Sequence, residues 1–297
     1  MSVGRRFLAE MNTIAVTGAL GNAGRHVVER LEEDGHAVVK IDVVPSANPF
    51  FEPSRVVDLT NYGDVVANLH GCDAVVHFGS NPWPDTDFFT GATRYLNNAG
   101  GTFNVFQAVC QLGIPRVVYA SSETVQGNPF IASWPSRIPM LEDDTPMPQS
   151  AYALSKVTAE LLAGHMQRMY GTLFVGLRIS NILFDVAGHH AGYDRVPGYW
   201  RDSSIRRETL WKYVDARDVA DAVLCGLAAE LQSSEVFNIA AADTIMNVPT
   251  RALFAEHFPG IEIAPGLGEF ETPVSLAKAA ELLSWRPKRS WRDYVSG

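Results

Sequence analysis

The chain is poor in cysteine, in long apolar runs and in excess positive charge, and each shortage removes a class of function. Its three cysteines, Cys72, Cys110 and Cys225, are far apart in 297 residues and sit among apolar neighbours. That spacing suits buried thiols in a reduced cytoplasmic protein and suits neither a disulfide framework nor a zinc site. The eight histidines are scattered without ligand spacing, and the adjacent His189 and His190 would face opposite sides of a strand, so no metal is expected. No apolar run approaches the length of a membrane span, and no membrane partner is expected. With 33 acidic against 24 basic residues the net charge is −9, and the basic footprint of a nucleic-acid partner is missing. Repeats and low-complexity segments are absent as well.

What is present is a core-forming composition, 46% hydrophobic, arranged in alternating elements. After an arginine-bearing start, read as a disordered extension over residues 1–11 in which Met11 is a second candidate start, TIAVTG reads as a buried strand. GRHVVERLEEDG reads as an amphipathic helix closed by Gly35, and AVVKID, AVVHFG, RVVYASS and LFVGLRISN as further strands. NVFQAVCQLG is a helix ended by Gly113 and Pro115. Val- and Ile-rich strands separated by helices imply α/β architecture, a doubly wound parallel sheet of Rossmann type over residues 12–181. Residues 182–297 read as a smaller mixed region at the sheet's carboxyl edge, with elements near 211–240 returning to the main domain. That region carries a helix around VADAVLCGLAAE, a strand EVFNIA, and helices around TRALFAEHF and SLAKAAELLSW.

The first strand-to-helix junction, TGALGNAG, carries Gly18, Gly21 and Gly24, with Leu20, Asn22 and Ala23 between them. Glycines there let a backbone approach a pyrophosphate, which the helix N-terminus attracts through its free N–H groups and dipole. The spacing is GxxGxxG, one residue wider than the common dinucleotide fingerprint. An acid follows about 20 residues on, where the fingerprint wants one: Asp42, ending AVVKID. A carboxylate there accepts hydrogen bonds from adenosine ribose hydroxyls and repels a 2′-phosphate. Val43 and Val44 follow, with no arginine or lysine beside them, so the expected cofactor is NAD, not NADP.

Further along, AYALSKVTAELL places Tyr152 and Lys156 four residues apart, hence on one helix face. Phenol and ammonium could then act on one bound molecule, the cation favouring the phenolate.

These motifs, with DLT at Asp58–Thr60, VVHFGS, NAGGTFNVFQA, YASSETVQG, EDDTPMP, LRISN, WKYVDARDVADA and AAELLSWRP, resemble in order and spacing an extended short-chain dehydrogenase/reductase. The likeness is to the NAD-dependent epimerase/dehydratase family and runs from about Asn12 to the C-terminus. It implies that Tyr152 is the acid/base, Lys156 its partner and a ribose ligand, and Ser122 the group that holds the substrate oxygen. It further implies that Asp58 and Leu59 flank the adenine. Phe78, Gly79 and Ser80 would line the pyrophosphate and nicotinamide side, with Asn98 and Ile179 completing the cofactor site. Substrate contacts would come from Ser80, Ser122, Glu123, Tyr152 and Asn181. A homodimer through the helices near 98–112 and 151–170 is implied too.

The sequence departs from the nucleotide-sugar pattern in two places. Val125-Gln126-Gly127 stands where the family has V-Y-G, and the stretch between Asn181 and Trp211 is short. A short stretch implies a smaller substrate, and here the chain resembles uronate dehydrogenases. Only Glu123-Thr124 follows Ser122, not the Asp-Glu pair of dehydratases. The leading expectation is therefore an NAD-dependent dehydrogenase of a free sugar or sugar acid. A nucleotide-sugar 4-epimerase and a non-catalytic dinucleotide sensor are the alternatives. Arg195, Arg201, Arg206 and Arg207 either bind a substrate anion or face solvent, and Tyr199 and Trp200 either stack on a sugar or pack. His77 is expected to be a packed core histidine, Arg178 mainly structural, and Asp218 the cap of the helix that follows it.

Overall fold

The computed structural model describes residues 8, 11–46, 48, 51–82, 88–130, 132–183 and 192–295. Seven strands form one parallel sheet: β1 (Thr13–Thr17), β2 (Ala37–Asp42), β3 (Ser54–Val56), β4 (Ala74–His77), β5 (Arg116–Ser122), β7 (Leu173–Ile179) and β10 (Glu235–Ile239). Their order is β10-β7-β5-β4-β1-β2-β3, so the chain winds outward in both directions from β1 and β4. The doubly wound α/β fold expected from the sequence is the fold observed. At such a reversal the two carboxyl strand ends part and leave a crevice.

Helices α1 (Asn22–Glu33), α2 (Tyr62–Leu69), α3 (Phe88–Leu112), α4 (Ala151–Tyr170) and α6 (Ala216–Ala228) cover the sheet, and a single turn α5 (Val196–Tyr199) lies between α4 and α6 in sequence. Period-two alternation along the strands feeds both faces. Ile14, Val16, Val76 and Val118 pack with Val27, Val28 and Leu31 of α1 and with Val219 and Val223 of α6. Ala15, Val75, Val117 and Tyr119 point the other way, into Val65 of α2, Phe106 of α3 and Ala163 of α4. Each fully buried aliphatic side chain contributes about 1.5–3 kcal/mol, which is why these strands read as continuous apolar runs.

A third core lies under the C-terminal elements. Trp211, Tyr213, Phe254 and Trp291 pack there with Phe130 and Met140. Its scaffold is α7 (Thr250–His257) and two short pairs, while Ala279 of α8 (Ala277–Leu282) joins the first core. One pair joins β6 (Arg137–Ile138) to β11 (Glu262–Ile263), the other β8 (Ile182–Leu183) to β9 (Val214–Asp215).

Two details differ from the sequence reading. Met11, placed in the disordered extension, is buried in the first core with Leu8 packed against it, because an apolar side chain adjoining β1 gains by joining that core. Asp218 does not cap α6. Asp215 does, its side chain accepting from the Arg217 amide. The Asp218 carboxylate instead accepts from the Lys288 and Arg289 amides at 3.0 Å and from the Arg289 guanidinium at 2.6 Å. It anchors the C-terminal segment. His189 and His190 lie outside the described residues.

Candidate active site

The crevice begins at the glycine turn after β1. Gly18 takes a left-handed φ of 69°, and a Cβ there would lie 2.7 Å from the Phe78 carbonyl carbon. A Cβ on Gly24 would lie 2.0 Å from the Gly18 carbonyl oxygen, so α1 can seat on the turn only with glycine at that position. Gly21 caps α1 without a side-chain acceptor, and the first turn of α1, with Asn22, Ala23 and Gly24, carries no acid. Its amides therefore remain open to an anion.

Asp42 ends β2 beside this turn. Its carboxylate accepts from the Leu20 amide at 2.9 Å and the Val43 amide at 2.7 Å. A carboxylate offers about four acceptor positions, so two remain for ribose hydroxyls. Val43 and Val44 beside it are exposed. Asp58 is exposed, and its carboxyl sits below the usual range because the Thr60 amide and hydroxyl both donate to it. Leu59 lies against Gly79 and Gly101, since a Cβ on either would lie within 3.2 Å of its side chain. These residues fit a dinucleotide.

After β4 the chain runs alongside the glycine turn. The Phe78 amide donates to the Thr17 carbonyl at 3.0 Å and the Gly79 amide to the Thr17 hydroxyl at 3.1 Å. His77 is wholly enclosed between Thr17 and Thr102, 2.7 and 3.0 Å from their hydroxyls, and burial drives its pKa down to about 3. It is a neutral core residue, as expected. Asn98, on α3, holds Asn81 from both sides, accepting from its amide at 2.9 Å and donating to its carbonyl at 3.0 Å. The Ser80 segment is thereby fixed.

Ser122 ends β5, in register with Ile179 on β7. Tyr152 lies in the first turn of α4, whose cap is the Ser150 side chain. The Ser122 hydroxyl neighbours the Tyr152 phenol and favours its phenolate, and both residues are buried. Lys156, one turn on, is 5.5 Å from the Tyr152 ring centroid and donates to the Ala120 carbonyl at 2.8 Å and to Ser80 Oγ at 3.2 Å. The structure thus brings Ser80, Ser122, Tyr152 and Lys156 together from three parts of the chain.

The electrostatics differ from the sequence expectation. In the protein by itself burial pushes the Tyr152 phenol up to about 12, against the Ser122 hydroxyl that lowers it, and the Glu123 charge raises it further. Burial also pulls Lys156 down to about 8, against the pull of Glu160. Desolvation penalises the charged form of each group and outweighs a cation that spends its hydrogen bonds on Ala120 and Ser80.

Arg178 is structural, as expected. Its fork grips Glu160 at 2.9 and 2.8 Å, a third nitrogen donates to the Glu142 carbonyl at 2.7 Å, and Ser121 donates to Glu160 at 2.5 Å. Asn181 is exposed, and its carbonyl accepts from the Val214 amide. Trp200 packs on Trp291 with its ring nitrogen donating to the Ile245 carbonyl at 3.1 Å. Tyr199 lies under the Arg206 guanidinium, while Arg195, Arg201 and Arg207 are exposed. The residue missed from sequence is Lys212, fully buried and 3.2 Å from the Glu123 carboxylate. The signal was available: a single lysine inside the apolar run LWKYV.

A Rossmann sheet with an open glycine turn at its switch point belongs to a class, the NAD-dependent dehydrogenases and epimerases. Within that class the chain belongs to the NAD dependent epimerase/dehydratase family, whose sequence profile it matches over residues 14–240. It is 34% identical over 182 residues to an L-arabinose 1-dehydrogenase (NAD(P)(+)) of Haloferax volcanii, covering 58% of this chain and 68% of that one. It is 25% identical over 309 residues to a UDP-glucose 4-epimerase of Lacticaseibacillus casei, covering 93% and 92%. The fold is shared with a uronate dehydrogenase from Agrobacterium tumefaciens at a TM-score of 0.68 and 22% identity, covering 96% and 87%. The cofactor is NAD, the cofactor of the family. Among the described residues no group of three His, Cys, Asp or Glu could hold a metal, and no helix is long and apolar enough to cross a membrane.

Proposed function

We propose that the protein is an NAD-dependent dehydrogenase that oxidises a secondary alcohol of a small polyhydroxylated substrate, a free sugar or close derivative. The observation that carries this reading is the convergence of Ser122, the Tyr152 phenol and the Lys156 ammonium in one buried place, with Lys156 5.5 Å from the phenol ring. When bound, NAD supplies the acceptor for a hydride. Ser122 holds the substrate hydroxyl, and Tyr152, once deprotonated, takes its proton. Lys156 keeps the end of β5, through Ala120, and the end of β4, through Ser80, at fixed distances from the phenol. Gly18, Leu20, Gly21, Asn22, Ala23 and Gly24 cradle the pyrophosphate, and Asp42 takes the adenosine ribose. Asp58, Leu59, Phe78, Gly79, Asn98 and Ile179 line the rest, while Glu123 and Asn181 face the substrate. Residues 12–181 serve the dinucleotide and the bulk of 182–297 the substrate.

The arabinose dehydrogenase relative supports a free sugar, as does the short connection from Asn181 to Trp211. The second reading, a nucleotide-sugar 4-epimerase, is favoured by the likeness to the Lacticaseibacillus casei enzyme along nearly the whole chain. A panel of hexoses, pentoses, uronates and nucleotide sugars, followed by NADH absorbance, separates the two. Growing absorbance on a free sugar supports the dehydrogenase. Conversion of UDP-glucose to its 4-epimer without net NADH supports the epimerase, and silence on every substrate removes both.

A homodimer is part of the proposal. Leu96 (68% exposed) and Phe103 (44%) on α3, and Leu154 (50%) and Leu161 (60%) on α4, form two apolar seams with seven-residue spacing. The two helices pack side by side, so a second copy would complete a four-helix bundle. We place the enzyme in the cytoplasm, in keeping with three unpaired cysteines.

A further inference from the structure

Directly after Ser122 the chain turns through a short 3-10 segment, Glu123–Gln126, whose four side chains are all buried. A carboxylate with 7% exposure in such a place needs a reason. Its counter-ion is Lys212, with no exposure at all, 3.2 Å away. Lys212 is held in turn by Asn128, whose side-chain oxygen accepts from it at 3.0 Å. The Lys212 contact neutralises the carboxylate without satisfying it: Glu123 Oε2 is buried and lacks an aligned hydrogen bond. Meanwhile the Glu123 charge is felt at the Tyr152 phenol, so the two groups share one small space with Ser122.

Two cations on the surrounding elements are committed elsewhere. Arg178 is gripped by Glu160, and Lys156 donates to Ala120 and Ser80. Arg206 lies over the Tyr199 ring with its Nε and one terminal nitrogen buried and without a hydrogen bond, and Arg195, Arg201 and Arg207 are exposed. Lys212 itself is fully buried and paired with Glu123 and Asn128.

We infer that Glu123 is a specificity-determining residue, accepting a hydrogen bond from a substrate hydroxyl near the one oxidised, and that Lys212 is the positioning residue that keeps it aimed. Glu123 thereby selects neutral sugars against sugar acids. A hydroxyl supplies the donor that the carboxylate lacks, whereas a second carboxylate in the same poorly solvated space meets like charge. This inference rests on the reading of the site as a sugar oxidoreductase.

The test compares kcat/KM for a neutral aldose and for the matching uronic acid in wild type, Glu123→Gln, Lys212→Met and the double variant. Wild type is expected to prefer the neutral sugar, and Glu123→Gln to move the ratio toward the acid by roughly tenfold or more, the usual effect of losing a hydrogen bond to a charged group. In Lys212→Met the carboxylate loses the contact that aims it, so the ratio moves toward the acid as it does in Glu123→Gln, which a merely structural lysine would not cause. Should that variant fail to fold, the double variant, which buries no charge at either position, carries the comparison. A wild type that prefers the acid, or a ratio unmoved in Glu123→Gln, overturns the inference. If only nucleotide sugars react, the free-sugar reading alone fails, and the same ratio taken between UDP-glucose and UDP-glucuronic acid decides the role of Glu123. If nothing reacts, both fall.

Discussion

Lys156 donates to the carbonyl of Ala120 at 2.8 Å, two residues before Ser122. This bond ties α4 to the end of β5, so the helix that carries the phenol and the strand that carries the serine cannot drift apart. The lysine acts first as a brace, and its charge is tempered by burial.

The Tyr152 phenol must lose its proton to act as a base, and burial holds it near 12 in the protein alone. Oxidation is therefore expected to speed up with rising pH across the neutral range. Tyr152→Phe should cut kcat by about 100- to 10,000-fold, the usual contribution of a positioned acid/base. Ser122→Ala removes the hydroxyl that lowers the phenol, so its rate should climb only at still higher pH. Rate profiles between about pH 6 and 10, bracketing the ordinary tyrosine range, check all three.

Lys156 should cost stability where it is charged. Its folded pKa of about 8 lies below the ordinary 10.5, so between those values the unfolded chain holds more protons. Stability then rises with pH across that window, and the burial penalty is fully present below about 8. Lys156→Met is expected to be inactive yet more stable at pH 7 by about 1–3 kcal/mol, the lost hydrogen bonds offsetting part of the gain. Urea melts at pH 7 and pH 10 should show that advantage shrinking.

In the proposed site Asp42 is the residue that faces the adenosine ribose and selects the dinucleotide. Asp42→Ser should raise kcat/KM for NADP relative to NAD by roughly tenfold or more, because a carboxylate no longer faces the 2′-phosphate. Some stability should be lost too, since Leu20 and Val43 both donate to this side chain. An unchanged NADP/NAD ratio would contradict the assignment.

Asp218 belongs to the architecture. With its carboxylate buried against the Arg289 guanidinium and two amides, Asp218→Ala should cost about 3–5 kcal/mol in urea titration. Activity per folded molecule should hardly change. A large drop in kcat with stability intact would return Asp218 to the site.

The exposed seams on α3 and α4 predict assembly. Sedimentation at micromolar concentration should give a dimer, and Leu96→Glu with Leu161→Glu should give a folded monomer, since a charge on each seam opposes burial of both. A wild-type monomer would remove the proposal.

Six of the seven sheet strands, the glycine turn, Asp42 and the Tyr152–Lys156 spacing were legible in the sequence, because each rests on local rules: apolar periodicity, positive-φ turns and the reach of one helical turn. The three-residue edge strand Ser54–Val56 and the helix Tyr62–Leu69 were too short to show a period. The capping of α6 was misread because Asp215 and Asp218 both suit a helix start, and only the place of Arg289 decides between them. Met11 was lost for a similar reason, since a single apolar residue shows no periodicity. Tertiary structure alone decided the partners that come from afar: Ala120 for Lys156, Asn81 for Asn98, Lys212 for Glu123. It alone also set the direction in which Tyr152 titrates, because the free energy of a charge depends on how much water surrounds it, and that is fixed only when distant segments close around the group.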